Sequence, residues 1–522
     1  MTHDHRRTND PPKKPTDARR RRRPAPLKLT SAQADRAAGV LLASACGDAL
    51  GARYEFGPPL PVDATVGMFG GGHFAWAPGE WTDDTSMAVP IARAAAAGAD
   101  LRDEAVLDQI VADWVAWART APDVGIQTST VLRTLADSTA AAAFEVARRV
   151  HERAGKSGGN GSLMRTAPVA LAHLSDPEAI VEAAHSVSAL THHDPEAGEA
   201  CAIWCLAIRH AILHGSFDGI RLTLAHLPGE RARVWAERLD EAEAHDPSHF
   251  GKNGWVVQAL QGAWSAISRT AVPEDDPVAG THPAGHLRLA LEAAVRGGRD
   301  TDTVAAIAGG LLGARWGASA VPASWRRIVH GWPLNAAGEP TRARALTDWA
   351  TLAARGGPGP VPAWPAIAVM DYPGWPDTDA LAQHPHDPGV WLSGVDALAD
   401  PPAGVDALVT LCRVGTAQAP PGVAPGDRLE VWLLDEADPA RNPNLDHVLV
   451  DTADAVAALR AEGRTVLLHC VAAHSRTPTV AALYAHRHLG LPMADAIADV
   501  CRALPAANPN AGFRSALHRL AR

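Results

Sequence analysis

Cysteine is scarce: six residues, at positions 46, 201, 205, 412, 470 and 501, in a chain of 522. Their spacing forms neither a disulfide framework nor a paired zinc-ligand pattern. A reducing, cytoplasmic setting is therefore expected. No uninterrupted apolar run reaches the ~18 residues that a membrane span needs, so no membrane partner is expected. The first residues lack the apolar core of a signal peptide. Tandem repeats are absent, and alternating strand patterns are rare before residue 354.

What is present is a globular composition, 47% hydrophobic and 20% charged. The length exceeds one compact domain and predicts two or three. Charge is unevenly spread. Residues 1–30 hold ten Lys/Arg against three Asp/Glu, whereas the whole chain carries −10. So Pro-rich and charged a tail cannot bury a core and is expected to be disordered. Nucleic acid is conceivable as a partner only through this basic tail, because the rest of the chain is acidic.

Residues 31–354 read as nearly all helix, with Ser31 placed to cap the first segment. Apolar-periodic stretches follow near 103–119, 179–190, 196–214, 254–268, 286–296 and 303–316. In the last of these Ala305, Gly309, Gly310 and Gly313 predict close helix packing. The stretch "ARGGPGPVPAWP" then marks a Gly/Pro linker, set at 355–376. From 377 to 522 short β-branched runs alternate with helical patterns, the pattern of a smaller α/β domain with a parallel-leaning sheet.

Two polar clusters interrupt the helical part. Thr82, Asp83 and Asp84 precede one helical segment; Asp300, Asp302 and Thr303 open another, behind Gly297 and Gly298. A helix start needs one cap, and four cap-type residues stand in a row here. Gathered carboxylates repel one another in a fold unless a cation joins them. All-oxygen ligands favour the hard cations Mg²⁺ or Mn²⁺ over zinc, and two clusters suffice for two ions.

The stretches "GDALGARYE", "WTDDTSMA", "GNGSLMRTAPVAL", "THHDP", "NGWVVQALQGAW" and "GGRDTDTVAAIAGGLLGA" stand in the order found in the ADP-ribosylglycohydrolase family. Residues 31–340 resemble that family. The resemblance implies an all-α orthogonal helical bundle with two divalent cations. It also implies hydrolysis of the bond joining ADP-ribose to a protein side chain or small acceptor. Thr82, Asp83, Asp84, Asp300, Asp302 and Thr303 are implied as metal residues, with Asp302 the bridge. Glu55 is implied on a mobile loop, for substrate gating or water activation. Asn160 and Gly161 are implied around ribose and phosphate, and His192 on the substrate side. Asp48 reads as a brace.

The second part carries "TVLLHCVAAHSRTPTVAALYAHRHLG". A buried strand leads to Cys470; five residues later come Arg476, Thr477 and a helix with Pro478 in its first turn. Successive loop amides and a helix N-terminus make an anion cradle, and the same field favours a thiolate. This segment resembles the dual-specificity, protein-tyrosine-phosphatase-like family. Cys470 is then the implied nucleophile, Arg476 the phosphate ligand, Thr477 a hydrogen-bond partner of the sulfur, and a phosphorylated molecule the substrate. Asp435 or Asp438 is the general acid, with Asp435 preferred. Ala473 stands where that family has Gly, and a left-handed backbone there would strain alanine. The alternative is a non-catalytic module that binds phosphate or ADP-ribose beside an active glycohydrolase.

Overall fold

The computed structural model describes residues 24–361 and 363–521. Most of the basic tail, residues 1–23, lies outside the described residues, and with it the expected nucleic-acid contact. Among the described residues no helix is long and apolar enough to cross a membrane.

The first helix is Ser31–Gly51. Thr30 caps it, not Ser31: its Oγ1 accepts from Gln33 N, and Gln33 Oε1 accepts from Thr30 N. The Thr-x-x-Gln pattern completes a capping box, which Ser31 with Ala34 three residues on cannot. This helix lies against Thr301–Trp316 along a seam of small residues. A Cβ on Gly47 would stand 2.2 Å from the Ala305 carbonyl oxygen, so only glycine permits the approach. Ser44 Oγ donates to Ala306 O across the same seam at 2.9 Å. Around this pair pack the helices Asp83–Ala96, Pro195–His214, Val256–Arg269, His286–Arg296 and Ala343–Ala354, burying one extended core. A short antiparallel pair, β1 (His330–Leu334) and β2 (Pro340–Arg342), is the main strand feature of this part.

A second core fills the space around a five-stranded sheet. Its strands are β3 (Leu381–His384), β4 (Asp387–Ser393), β5 (Ala407–Thr410), β6 (Arg428–Glu430) and β7 (Val466–His469). The order is β3-β4-β7-β5-β6; β4, β7, β5 and β6 are parallel, and β3 runs antiparallel at the edge. The helices Leu445–Ala461 and Arg476–Leu489 flank β7 in sequence.

The two cores touch. Asp451 accepts from Ala323 N at 2.9 Å, Asn444 Nδ2 donates to Trp316 O at 2.6 Å, and Arg326 Nη1 donates to Glu430 O at 2.7 Å. The connecting stretch is itself bound down: Thr416 N and Ala417 N donate to Ile367 O and Ala368 O.

Candidate active sites

The polar helix starts do not act as caps. Neither Thr82 nor Asp300 makes a side-chain cap bond to the helix it precedes. Their neighbours instead converge with the C-terminal turn of the first helix. A Cβ on Gly51 would lie 2.4 Å from Asp302 Cα, and this close approach brings Asp48 and Asp302 together.

Two carboxylate triplets result: Asp48, Asp84 and Asp302, and Glu55, Asp300 and Asp302. Within each, one oxygen per residue lies within 4.8 Å of the others, and Asp302 belongs to both. Thr82 Oγ1 donates to Asp84 Oδ2 at 3.1 Å, and Thr303 Oγ1 reaches the same oxygen at 3.4 Å. Asp83 stands outside both triplets. Its Oδ2 accepts from Gly125 N at 3.4 Å, and Asp123 is the charge that most affects it. Asp48 does brace, accepting from Thr82 N, Thr85 N and Thr85 Oγ1 at 2.8, 2.9 and 2.6 Å. Its carboxylate nevertheless joins the first triplet.

The loop bearing Glu55 is pinned, since Phe56 N donates to Arg299 O and Arg299 N to Gly57 O. Asn160 Nδ2 donates to Asp300 Oδ2 at 2.8 Å and to Asn253 O at 2.9 Å, tying its turn to the carboxylates. The His192 ring packs against Gly159 and Gly161. Its Nδ1 lies 2.7 Å from Thr191 Oγ1, which accepts from buried Arg165. Burial, helped by Arg165, lowers His192 to about 3, so it is neutral.

Burial and mutual repulsion drive the carboxyls upward. Asp48 rises to about 6 and Glu55 to about 9, and Asp83, Asp84, Asp300 and Asp302 are raised as well, desolvation being the largest cause in each. Asp84 Oδ1 and Glu55 Oε2 are buried without a hydrogen-bond partner. Unpaired buried oxygens are costly, and a divalent cation is the partner that this oxygen-only set fits.

A pH dependence follows. Without a cation the folded chain retains protons that the unfolded chain releases above about pH 4. Stability of the chelated protein should therefore fall as pH rises from about 4 towards about 9, the value for Glu55. The rise in Tm on adding Mg²⁺ or Mn²⁺ should be larger at pH 8 than at pH 5. A gain independent of pH would contradict this.

The second site lies at the end of β7. Cys470 is buried, and the loop runs through Ala473, whose φ is 54°, into the Arg476–Leu489 helix. Alanine in that left-handed region costs about 1–2 kcal/mol. Arg476 Nη1 donates to Leu411 O at 2.6 Å and lies 3.3 Å from Leu433 O. Its Nε is buried without a hydrogen-bond partner, as is Thr477 Oγ1. Asp435 Oδ2 lies 3.6 Å from Arg476 Nε, whereas Asp438 caps the short turn that follows it. Asn510 Nδ2 donates to Asp435 Oδ1 at 2.9 Å and its backbone N to Ser475 Oγ, linking the last helix to the loop. His469 is buried and lowered to about 4 by that burial; its Nε2 meets Thr410 Oγ1 at 2.9 Å.

Known proteins match both parts of the chain in sequence. A family model described as ADP-ribosylglycohydrolase matches residues 29–358. ADP-ribosylarginine hydrolase Tri1 of Pseudomonas putida is 29% identical over 331 residues, 60% of this chain and 80% of that protein. ADP-ribosyl-[dinitrogen reductase] glycohydrolase of Rhodospirillum rubrum is 29% identical over 303 residues, 56% of this chain and 89% of that protein. Human dual specificity phosphatase 28 is 38% identical over 117 residues, 22% of this chain and 62% of that protein. Matched over more than half its length, with its two Asp/Thr motifs meeting in one buried cluster, the chain belongs to the ADP-ribosylglycohydrolase family.

Proposed function

We propose that residues 31–354 form a metal-dependent hydrolase that releases ADP-ribose from an acceptor, with an arginine side chain as the first candidate acceptor. The carrying observation is the pair of carboxylate triplets that share Asp302. Asp48, Asp84 and Asp302 are assigned to one cation, Glu55, Asp300 and Asp302 to the other. Bound Mg²⁺ or Mn²⁺ supplies Lewis-acid polarisation of ribose hydroxyls and water. Thr82 and Thr303 orient Asp84 through their hydroxyls. Asn160 holds Asp300, and neutral His192 supports the Asn160–Gly161 turn beneath the ribose and phosphates. Glu55 is assigned to water activation, a role it would fill once a bound cation has displaced the proton that burial and its acidic neighbours hold on it. The other carboxylates counter the positive charge that develops on the sugar. The names of the Pseudomonas and Rhodospirillum relatives support arginine and protein-borne ADP-ribose as substrates.

Residues 377–522 are assigned to a second hydrolase domain, joined through 355–376. There the Cys470 thiolate attacks phosphorus and expels the ester oxygen, which Asp435 protonates. Water then releases phosphate and restores the thiolate. Arg476 and the loop amides hold the phosphate oxygens, and Thr477 donates to the sulfur. Six free cysteines suit a reducing, cytoplasmic setting.

The test is a panel of ADP-ribosylated substrates, with arginine, serine and small ester acceptors, assayed with and without chelator. ADP-ribose release from the arginine conjugate, lost on chelation and restored by Mg²⁺ or Mn²⁺, is expected. Release that survives chelation would overturn the metal assignment.

A further inference from the structure

A cavity of about 440 Å³ opens between the two cores, within the size range of small-molecule sites. Arg476, Asp435 and Val471 of the phosphate-loop region bound it on one side. Arg342 and Arg344, from the end of the helical part, bound it on another. Residues from outside the second core thus share one cavity with Val471 and Arg476 of the loop.

The lining is aromatic as well as cationic. Trp364, Tyr372, Trp375 and Trp432 all contribute. Trp375 is 50% exposed at this cavity. Trp364 Nε1 is buried without a hydrogen-bond partner, and the Arg413 guanidinium lies 4.6 Å above the Trp364 ring. The acids in the lining are largely taken: Glu430 and Asp348 pair with Arg344, and Glu436 with Arg441. Among the described residues Arg342, Arg413 and Arg428 form no ion pair, although all three line the cavity. Arg476, nine-tenths buried, makes no hydrogen bond through its Nε, which faces Asp435 Oδ2 at 3.6 Å.

We propose that this cavity binds a nucleoside phosphate, with the base on the tryptophan-lined wall and the phosphate at Arg476, Arg342 and Arg413. Planar rings stack on aromatic side chains and guanidinium groups, and an unpaired indole N–H offers a donor to a base edge. Arginines beyond Arg476 serve an oxygen-rich ligand larger than one phosphotyrosine side chain. The assignment rests on the phosphate-loop reading above for the position of the phosphate. It does not need turnover.

The experiment uses the full chain carrying Cys470→Ser and Asp302→Ala, so that neither site turns ligand over. AMP, ADP-ribose, inorganic phosphate and a phosphotyrosine peptide are titrated against tryptophan fluorescence. AMP or ADP-ribose should bind roughly tenfold or more tightly than inorganic phosphate. Trp375→Ala, at an exposed position, should remove most of that advantage without changing Tm. Arg413→Gln should weaken every nucleotide that binds. Preference for AMP assigns a monoester ligand, and only the part of ADP-ribose binding that Trp375→Ala removes assigns a diphosphate, because the carboxylate site is itself assigned to ADP-ribose. Equal affinity for phosphate and AMP, tighter binding of the peptide, or indifference to both substitutions would overturn the proposal. Hydrolysis of para-nitrophenyl phosphate by the wild-type chain is measured separately. Its absence beside intact AMP binding would overturn the phosphatase reading and support the ligand class.

Discussion

Asp302→Ala should abolish ADP-ribose release while leaving helical content unchanged. Asp302 is the one carboxylate common to both triplets, so its loss should disturb both proposed ions at once. Losing an outer partner of a metal ligand typically costs ~10–100-fold. The loss here should exceed that range, on the order of 10³-fold or more. The fold should tolerate the change, because the substitution removes a buried carboxyl crowded by other acids and leaves the glycine seam intact. In the absence of cations the variant should even be the more stable protein at pH 8, since one raised carboxyl is gone. Assays of ADP-ribose release, with circular dichroism as control, check both halves. Asp83→Ala is the contrasting variant. Asp83 stands outside both triplets, so it should lose less activity than Asp302→Ala.

Cys470→Ser should eliminate phosphate release and spare ADP-ribose release. A hydroxyl is a far weaker nucleophile than a thiolate near neutral pH. Removing an enzyme's nucleophile can cost roughly 10⁴-fold or more in kcat. The carboxylate cluster is built from helices of the other core and shares no residue with the loop, so its chemistry should continue. Chelator should do the reverse, silencing ADP-ribose release alone. Loss of both activities in a folded Cys470→Ser protein would contradict separate sites. Ala473→Gly belongs in the same series. Relief of the left-handed alanine at φ 54° should stabilise the chain by about 1 kcal/mol.

Much of the carboxylate cluster was legible because its chemistry is dense in sequence. Asp83 and Asp84 adjoin, and Asp300 and Asp302 flank one residue at a helix start. The seam of small residues around Gly309 likewise announced the close helix pair. Other partners carried no such signal. Asp48 is a single acid in a helical run, and its backbone contacts with Thr82 and Thr85 fit the reading as a brace. Only the approach of Gly51 to Asp302 shows that it also faces the cluster. Asp123 sits in a loop without a pattern. Asn510, which caps the helix Ala511–Leu520, carried no sign in sequence that it holds Asp435. The capping residue shifted by one because Thr30 and Gln33 form a reciprocal pair that Ser31 cannot. The helix Gly229–Ala244 carries so much charge that its apolar stripe is faint. The cavity between the cores was not legible at all. Its walls come from segments spread over more than 100 residues of chain, and their meeting is a property of the packed structure.

The central claim is that the shared carboxylates hold two divalent cations. The most direct test is calorimetric titration of the chelator-treated full chain with Mn²⁺, alongside Asp302→Ala. The account predicts two ions per chain for the wild type and loss of binding at both sites in the variant. A wild-type chain that takes up no cation, or a variant that binds two ions with unchanged affinity, would contradict it.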